Sequence, residues 1–130
     1  MDRVNLIRGG IPSVLVKRLA LEMHLSVPEV SRIAGLAPTT VLRKLEKHAK
    51  FNTNQGERIL GLARLIGQVQ AVVCESGENR RGHAGRWVAE WVNSPLPSLD
   101  GWRPRDLMDL DAGRELISAA VARIHSGEFS

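Results

Sequence analysis

Hydrophobic residues recur at three- and four-residue intervals along most of the chain, which is the spacing of amphipathic helices. No segment shows a convincing strand pattern. A stripe that follows Pro12 predicts the first helix, and a capping box of Asn54 and Glu57 predicts the start of the longest helix. Asp111 is placed to cap the last helix. The pattern therefore predicts an all-α fold.

Residues 25–48 carry a specific local pattern. Ser26 and Glu29 form a second capping box, and Gly35 is suited to the left-handed conformation that ends a helix. A further helix opens at Pro38. Its predicted inward residues are Val41, Leu42 and Leu45. Two short helices joined by a glycine turn are typical of the helix-turn-helix, which binds DNA.

The second helix of this motif carries hydroxyl and basic side chains together. A recognition helix presents its N-terminal residues to base edges in the major groove, and cations further along the helix meet phosphates. Ser26 caps the first helix and can also donate to a phosphate. The candidate DNA-binding residues are Ser26, Thr39, Thr40, Arg43, Lys44 and Lys47. The alternative is a helical bundle whose basic face is only solvated.

Charge is divided unevenly along the chain. Residues 1–65 hold 11 Lys and Arg against 5 Asp and Glu, whereas residues 66–130 hold 7 against 9. A basic N-terminal half suits a polyanionic partner. An ordinary uneven surface would give the same totals, so charge supports DNA binding without establishing it.

Residues 75–85 interrupt the helical pattern. They contain three glycines and no apolar periodicity, which predicts a linker or an exposed loop. The predicted division is a DNA-binding and dimerisation domain at 1–74 and a small helical domain at 86–130. Helix-turn-helix proteins usually meet two half-sites as dimers, and Leu60 and Leu65 are apolar residues to spare on the long helix.

The three tryptophans all lie in the C-terminal half. Trp87 and Trp91 are one helical turn apart, which predicts burial on one side of a short helix. Trp102 lies between a turn glycine and Pro104, where a surface position is expected. Trp102 is therefore the tryptophan predicted to contact a partner.

The arrangements that catalysis requires are missing from the sequence. Four histidines and one cysteine, Cys74, lack metal-ligand spacing, and there is no glycine-rich phosphate loop or nucleophile elbow. We expect no catalytic residue, no metal, no cofactor and no enzymatic activity. The lone cysteine, the lack of a long apolar run and the lack of a secretory signal predict a cytoplasmic protein without membrane contact.

A second specific pattern runs through the C-terminal half. After Trp91 comes the series N-x-P-x-x-x-L-x-G-x-x-P-x-x-L, then a glycine and a closing I-x-x-G. The matching positions are Trp91, Asn93, Pro95, Leu99, Gly101, Pro104, Leu107, Gly113, Ile124 and Gly127. With "HLSVPEV", "AGLAPTTVLRKL" and "NQGERILGLARL" in the N-terminal half, this pattern makes the chain resemble the MbcA/ParS/Xre antitoxins over residues 8–128.

The resemblance implies an Xre-type helix-turn-helix followed by a small helical toxin-binding domain. Antitoxins of this family neutralise a RES-domain toxin, which degrades NAD or transfers its ADP-ribose, by covering the toxin's active site. They also repress their own operon, usually as dimers or together with the toxin. The expected partners are thus a cognate RES toxin, operator double-stranded DNA and a second copy, in a homodimer and a toxin–antitoxin hetero-oligomer.

The last helix and the end of the chain, "RIHSGEFS", form an open polar-aromatic segment suited to a toxin cleft. The candidate toxin-binding residues are Trp102, Arg114, Arg123, His125, Glu128, Phe129 and Ser130. Pro38 departs from the family, which often has arginine before the recognition-helix threonine, so the operator sequence stays open. Two alternatives also stay open: a free-standing repressor without a toxin partner, and a pure inhibitor whose helix-turn-helix is only scaffold.

Overall fold

The computed structural model describes residues 10–75 and 83–125. Within these residues the helices are α1 (Leu15–Met23), α2 (Val27–Ile33), α3 (Pro38–Glu46), α4 (Thr53–Glu75), α5 (His83–Trp91) and α6 (Asp111–His125). Two 3₁₀ turns, Pro97–Leu99 and Pro104–Leu107, lie between α5 and α6. Helix dominates the described chain, which confirms the all-α fold. None of its helices is both long and apolar enough to cross a membrane.

A short β-pair, absent from the sequence prediction, closes one end of the helix-turn-helix. Strand β1 (Ile11–Pro12) pairs antiparallel with β2 (Lys50–Phe51), and Ile11 lies opposite Phe51. Both side chains are buried. The prediction that Pro12 opens the first helix is wrong, because this residue lies in the pair and α1 begins at Leu15.

Helix α4 starts on a different capping box from the predicted one. Gln55 N–H donates to Asn52 Oδ1 at 2.8 Å, and Asn52 N–H donates to Gln55 Oε1 at 3.0 Å. This reciprocal pair satisfies donors at the helix end. Asn54, predicted as the cap, therefore lies inside the first turn.

Helix α5 joins the two predicted domains around one hydrophobic core. It packs against both α1 and α4, and its Val88 and Trp91 belong to the same buried cluster as Met23 of α1 and Leu62 of α4. The half-buried Trp87 stacks on Trp91, with ring centroids 5.3 Å apart. The residues assigned by sequence to a separate domain thus complete the core of the N-terminal half.

Gly85 lets α5 approach α1 closely. A Cβ placed on Gly85 would lie 2.3 Å from the Glu22 carbonyl oxygen, well inside van der Waals contact. This glycine therefore serves helix packing and not a loop. Both ends of the segment predicted as a loop at 75–85 are helical, because Glu75 belongs to α4 and His83–Gly85 belong to α5; residues 76–82 lie outside the described part of the chain.

Helix α4 leaves less apolar surface than its sequence indicates. Leu65 is buried, and Leu60 is partly buried against the core. Leu65 is therefore not to spare for a homodimer interface, and Leu60 offers only part of its surface. Homodimerisation itself stays a prediction.

Candidate DNA-binding and partner-binding surfaces

Helices α2 and α3 pack together as the predicted helix-turn-helix. Glu29 N–H donates to Ser26 Oγ at 3.3 Å, which confirms Ser26 as the cap of α2. At the other end Gly35 has a φ of +77°, a left-handed conformation that favours glycine. Leu36 N–H donates to the Ser31 carbonyl at 2.8 Å. This closed turn sets the direction in which α3 leaves α2.

Helix α3 presents one exposed face, here termed the recognition stripe. The stripe consists of Thr39, Leu42, Arg43 and Glu46. These residues are three or four positions apart and so share a side of the helix. Thr40 is partly buried. The prediction that Leu42 points inward is wrong: its exposure is 43%, because Val41 occupies the narrow buried face of this nine-residue helix.

The two candidate lysines differ in where their ammonium groups lie. Lys44 Nζ donates to the Lys50 carbonyl at 2.9 Å and lies 6.0 Å from the Phe51 ring centroid. Lys44 therefore links α3 to β2, and its contact with a phosphate stays a prediction. Lys47 is exposed just beyond α3, where it is open to solvent.

Arg105 connects the helix-turn-helix to the tryptophan-rich half. Its Nη1 donates to Glu29 Oε1 at 3.0 Å and to Asn93 Oδ1 at 2.7 Å. The Arg105 side chain is only 17% exposed. Sequence reasoning missed Arg105, since its partner Glu29 lies 76 positions earlier and no local pattern marks the pairing.

A second contact between the halves is made at the turn of the helix-turn-helix. The Asp109 side chain packs beside Gly35 at a distance that leaves no room for a Cβ. Within the N-terminal half, Arg58 Nη1 also donates to the Gly35 carbonyl at 2.6 Å. The segment that leads into α6 therefore supports the turn from which α3 departs.

Trp102 lies on the surface, as predicted, with an exposure of 58%. The next residue, Arg103, makes a bidentate pair with Asp106 at 3.0 and 2.8 Å. Hydrogen bonding from the Arg103 guanidinium lowers the pKa of Asp106, and Asp106 raises the pKa of Arg103. The ion pair is therefore fully formed at pH values above the ordinary pKa of an aspartate, and it is lost as the pH falls through the lowered pKa of Asp106. It holds the backbone beside Trp102 at neutral pH.

Arg114, predicted to contact a toxin, is used within the fold. It donates to the Met108 carbonyl at 2.7 Å, pairs with Asp111, and lies 4.0 Å from Glu57 Oε2. Its side chain is 14% exposed. The cause is the close packing of α6 on α4, which brings Arg114 over Gly61. Arg114 therefore anchors the start of α6.

The remaining toxin-binding candidates lie at or beyond the end of α6. Arg123 is partly buried and already has an interaction partner. The His125 side chain and residues Glu128, Phe129 and Ser130 lie outside the described residues.

Helices α4 and α6 line an open cavity of about 470 Å³. Its polar lining includes Arg64 and Gln68 on α4 and Glu115 and Ser118 on α6. Ser118 Oγ donates to Gln68 Oε1 at 3.1 Å. In the described part of the chain, no group of three His, Cys, Asp or Glu residues is placed to hold a metal ion.

Comparison with known proteins accounts for both halves of the chain. The family model of the antitoxin Xre-like helix-turn-helix domain matches residues 2–64, and that of the antitoxin Xre/MbcA/ParS C-terminal toxin-binding domain matches residues 77–127. The whole chain is 35% identical to the Prs ADP-ribosylating antitoxin of a Sphingobium species and covers 82% of it. The chain belongs to the Xre/MbcA/ParS antitoxin family.

Two more distant relatives of this antitoxin align over nearly its whole length. The Antitoxin Xre of Photorhabdus laumondii is 22% identical, over 96% of the chain and 79% of the relative. That of Yersinia enterocolitica is 23% identical, over 98% of the chain and 80% of the relative. The antitoxin's recognition stripe lies in its matched helix-turn-helix domain, and Trp102 and α6 lie in its matched toxin-binding domain.

Proposed function

We propose that this antitoxin neutralises a RES-domain toxin that uses NAD and represses its own operon through the helix-turn-helix. The observation that supports it most is that each family domain presents an exposed surface: the recognition stripe in one and Trp102 in the other. The Sphingobium relative is named "Prs ADP-ribosylating", and NAD is the ordinary donor of ADP-ribose. That name favours an ADP-ribosylating toxin over one that only degrades NAD.

On the DNA side, Arg43 is the residue assigned to read a base. It is exposed in the middle of the recognition stripe, and an arginine can donate two hydrogen bonds to the O6 and N7 atoms of guanine. Thr39 and Thr40 lie in the first turn of α3, where hydroxyls face base edges. Lys47 supplies a phosphate contact.

Arg43→Ala is expected to weaken operator binding by about 1–3 kcal/mol, the range for one bidentate contact with guanine. Binding to random duplex DNA should fall less, because the lost contact reads a base and not only a charge. Fluorescence anisotropy with both duplexes, at a series of salt concentrations, measures the two losses.

Lys47→Ala is the matched control for Arg43→Ala, since it removes an exposed cation close to the same helix. It should weaken both duplexes evenly and lower the slope of log affinity against log salt by about one. Equal losses on the two duplexes for Arg43→Ala would show instead that Arg43 only contacts a phosphate.

On the toxin side, we assign the contact to Trp102, Arg123, His125 and the last residues of the chain. Trp102 offers a large exposed apolar surface on a backbone held by the Arg103–Asp106 pair. Tryptophan is among the residues that contribute most to protein interfaces. Arg114 is assigned a positioning role, because its guanidinium is occupied at the base of α6.

Deleting Glu128–Ser130 is expected to impair rescue of growth when the antitoxin is co-expressed with its toxin, because the aromatic end enters the toxin's cleft. The same truncation should leave the operator affinity and the melting temperature unchanged, since every described contact of the core is made by residues before Glu128. Growth rescue by the co-expressed truncated chain tests the toxin contact. Anisotropy and thermal melting of the same truncated chain, purified, test the operator affinity and the stability. Full rescue by the truncated chain would contradict contact by these residues.

The co-expression experiment also separates the alternatives. The partner tested is the protein encoded next to the antitoxin gene, if its sequence has a RES-type pattern. Operator binding without any rescue would indicate a free-standing repressor. Rescue without operator binding would indicate a pure inhibitor whose helix-turn-helix is scaffold.

A further inference from the structure

Leu42 stands out within the recognition stripe because it is apolar. Its exposure of 43% contrasts with the complete burial of the preceding Val41. Single exposed apolar side chains are normal on protein surfaces, so exposure alone assigns nothing. The position is what matters: Leu42 lies between Thr39 and Arg43, the two stripe residues placed to face bases.

The geometry of a helix in the major groove limits what Leu42 can meet. Residues three or four positions apart on a helix are neighbours, with Cβ atoms roughly 5–6 Å apart, and base pairs follow one another at about 3.4 Å. Thr39, Leu42 and Arg43 therefore reach neighbouring base pairs. In the major groove the apolar group among the base edges is the C5-methyl of thymine.

Charge along the stripe indicates how α3 enters the groove. Glu46 lies one turn beyond Leu42 and is exposed, and its carboxylate is repelled by phosphates. Lys44 is bonded back to the Lys50 carbonyl, and Lys47, the proposed phosphate contact, lies beyond Glu46 at the C-terminal end of α3. The N-terminal half of α3 therefore inserts more deeply, which is the usual geometry of a recognition helix. Leu42 lies at the end of this inserted half.

We propose that Leu42 packs against the C5-methyl of a thymine in each operator half-site, next to the base pair read by Arg43. This inference rests on the proposed DNA binding through α3. Leu42 then determines specificity on that surface: it recognises the thymine, while Arg43 recognises the neighbouring guanine.

The test replaces each thymine of the operator in turn by deoxyuridine, which removes only the methyl group. The operator is the tightest duplex selected from a random pool by the full-length protein, and binding is measured by fluorescence anisotropy. At one position in each half-site the replacement should weaken binding about fourfold, the effect of one buried methyl group. With Leu42→Ala, thymine and deoxyuridine at that position should bind equally, which a double-mutant cycle quantifies.

Leu21→Ala is the control, because Leu21 is an exposed leucine of α1, with an exposure of 78%, outside the recognition stripe. It should preserve the full deoxyuridine penalty. The inference is overturned if no thymine position responds, or if Leu42→Ala keeps the penalty of the unaltered protein. If the unaltered protein prefers no selected duplex over random DNA, the proposed sequence-specific DNA binding is wrong. If it binds a selected duplex tightly but responds to no deoxyuridine replacement, only the inference about Leu42 is wrong.

Discussion

A fragment that ends at residue 75 is expected to show no cooperative thermal unfolding, although it contains the whole helix-turn-helix. The fragment lacks α5, which packs on both α1 and α4, and it lacks the buried residues Val88, Trp91 and Val92. Each large apolar side chain contributes about 1.5–3 kcal/mol when buried. Losing three of them removes an amount comparable with the roughly 5–15 kcal/mol that stabilises a typical domain. Circular dichroism during heating measures the transition.

A chain that ends at residue 125 is the matched control for this fragment. It keeps α5, α6 and every described contact of the core, and should melt cooperatively near the temperature of the full chain. A cooperative transition in the fragment 1–75 would show that the N-terminal half folds alone. It would also support the domain division predicted from the glycine-rich segment at 75–85.

Gly85→Ala is expected to destabilise the protein by about 3 kcal/mol, at the upper end of the usual range for overpacking. The added methyl group would lie 2.3 Å from the Glu22 carbonyl oxygen and 2.6 Å from its carbon. Both are backbone atoms, so they can yield only if α5 moves away from α1. Urea unfolding, followed by tryptophan fluorescence, gives the change in free energy.

Gly67→Ala provides the control for this substitution. Gly67 is also within a helix, α4, but a Cβ there would meet no atom within 4 Å. The substitution should stabilise the protein by about 0.5–1 kcal/mol, because alanine favours the helix more than glycine does. Equal effects of the two substitutions would show that helix propensity, and not the contact between α5 and α1, decides the cost at Gly85.

The sequence predicted the structure well where a residue and its partner are close along the chain. Ser26 caps α2 through a residue three positions later, and Gly35 ends the same helix. The start of α4 was placed wrongly because Asn52 and Asn54 are each followed, three residues on, by a side chain that can close a capping box. The position of β2, which precedes Asn52, decides between them.

Contacts between distant residues account for what the sequence did not predict. Lys44 is a basic residue of the recognition helix, which predicts a phosphate contact, and the sequence does not show that the β-pair brings the Lys50 carbonyl to its ammonium. Arg105 bonds to Glu29 across most of the chain, and Arg114 is covered because α6 packs on α4. Leu42 follows the helical spacing of core residues, yet only a narrow face of α3 is covered by other elements. In each case tertiary packing determines whether a side chain is available to a partner.

The contact between α5 and α1 restricts how antitoxins of this family can recombine. A hybrid gene that joined this helix-turn-helix to the toxin-binding half of a relative would place a foreign α5 against the Glu22 carbonyl. Such a hybrid is expected to lose about 3 kcal/mol of stability where the donor has alanine at the position of Gly85. The helix-turn-helix and the half that carries α5 would then be inherited together, and the C-terminal half would change by substitution more readily than by exchange of modules.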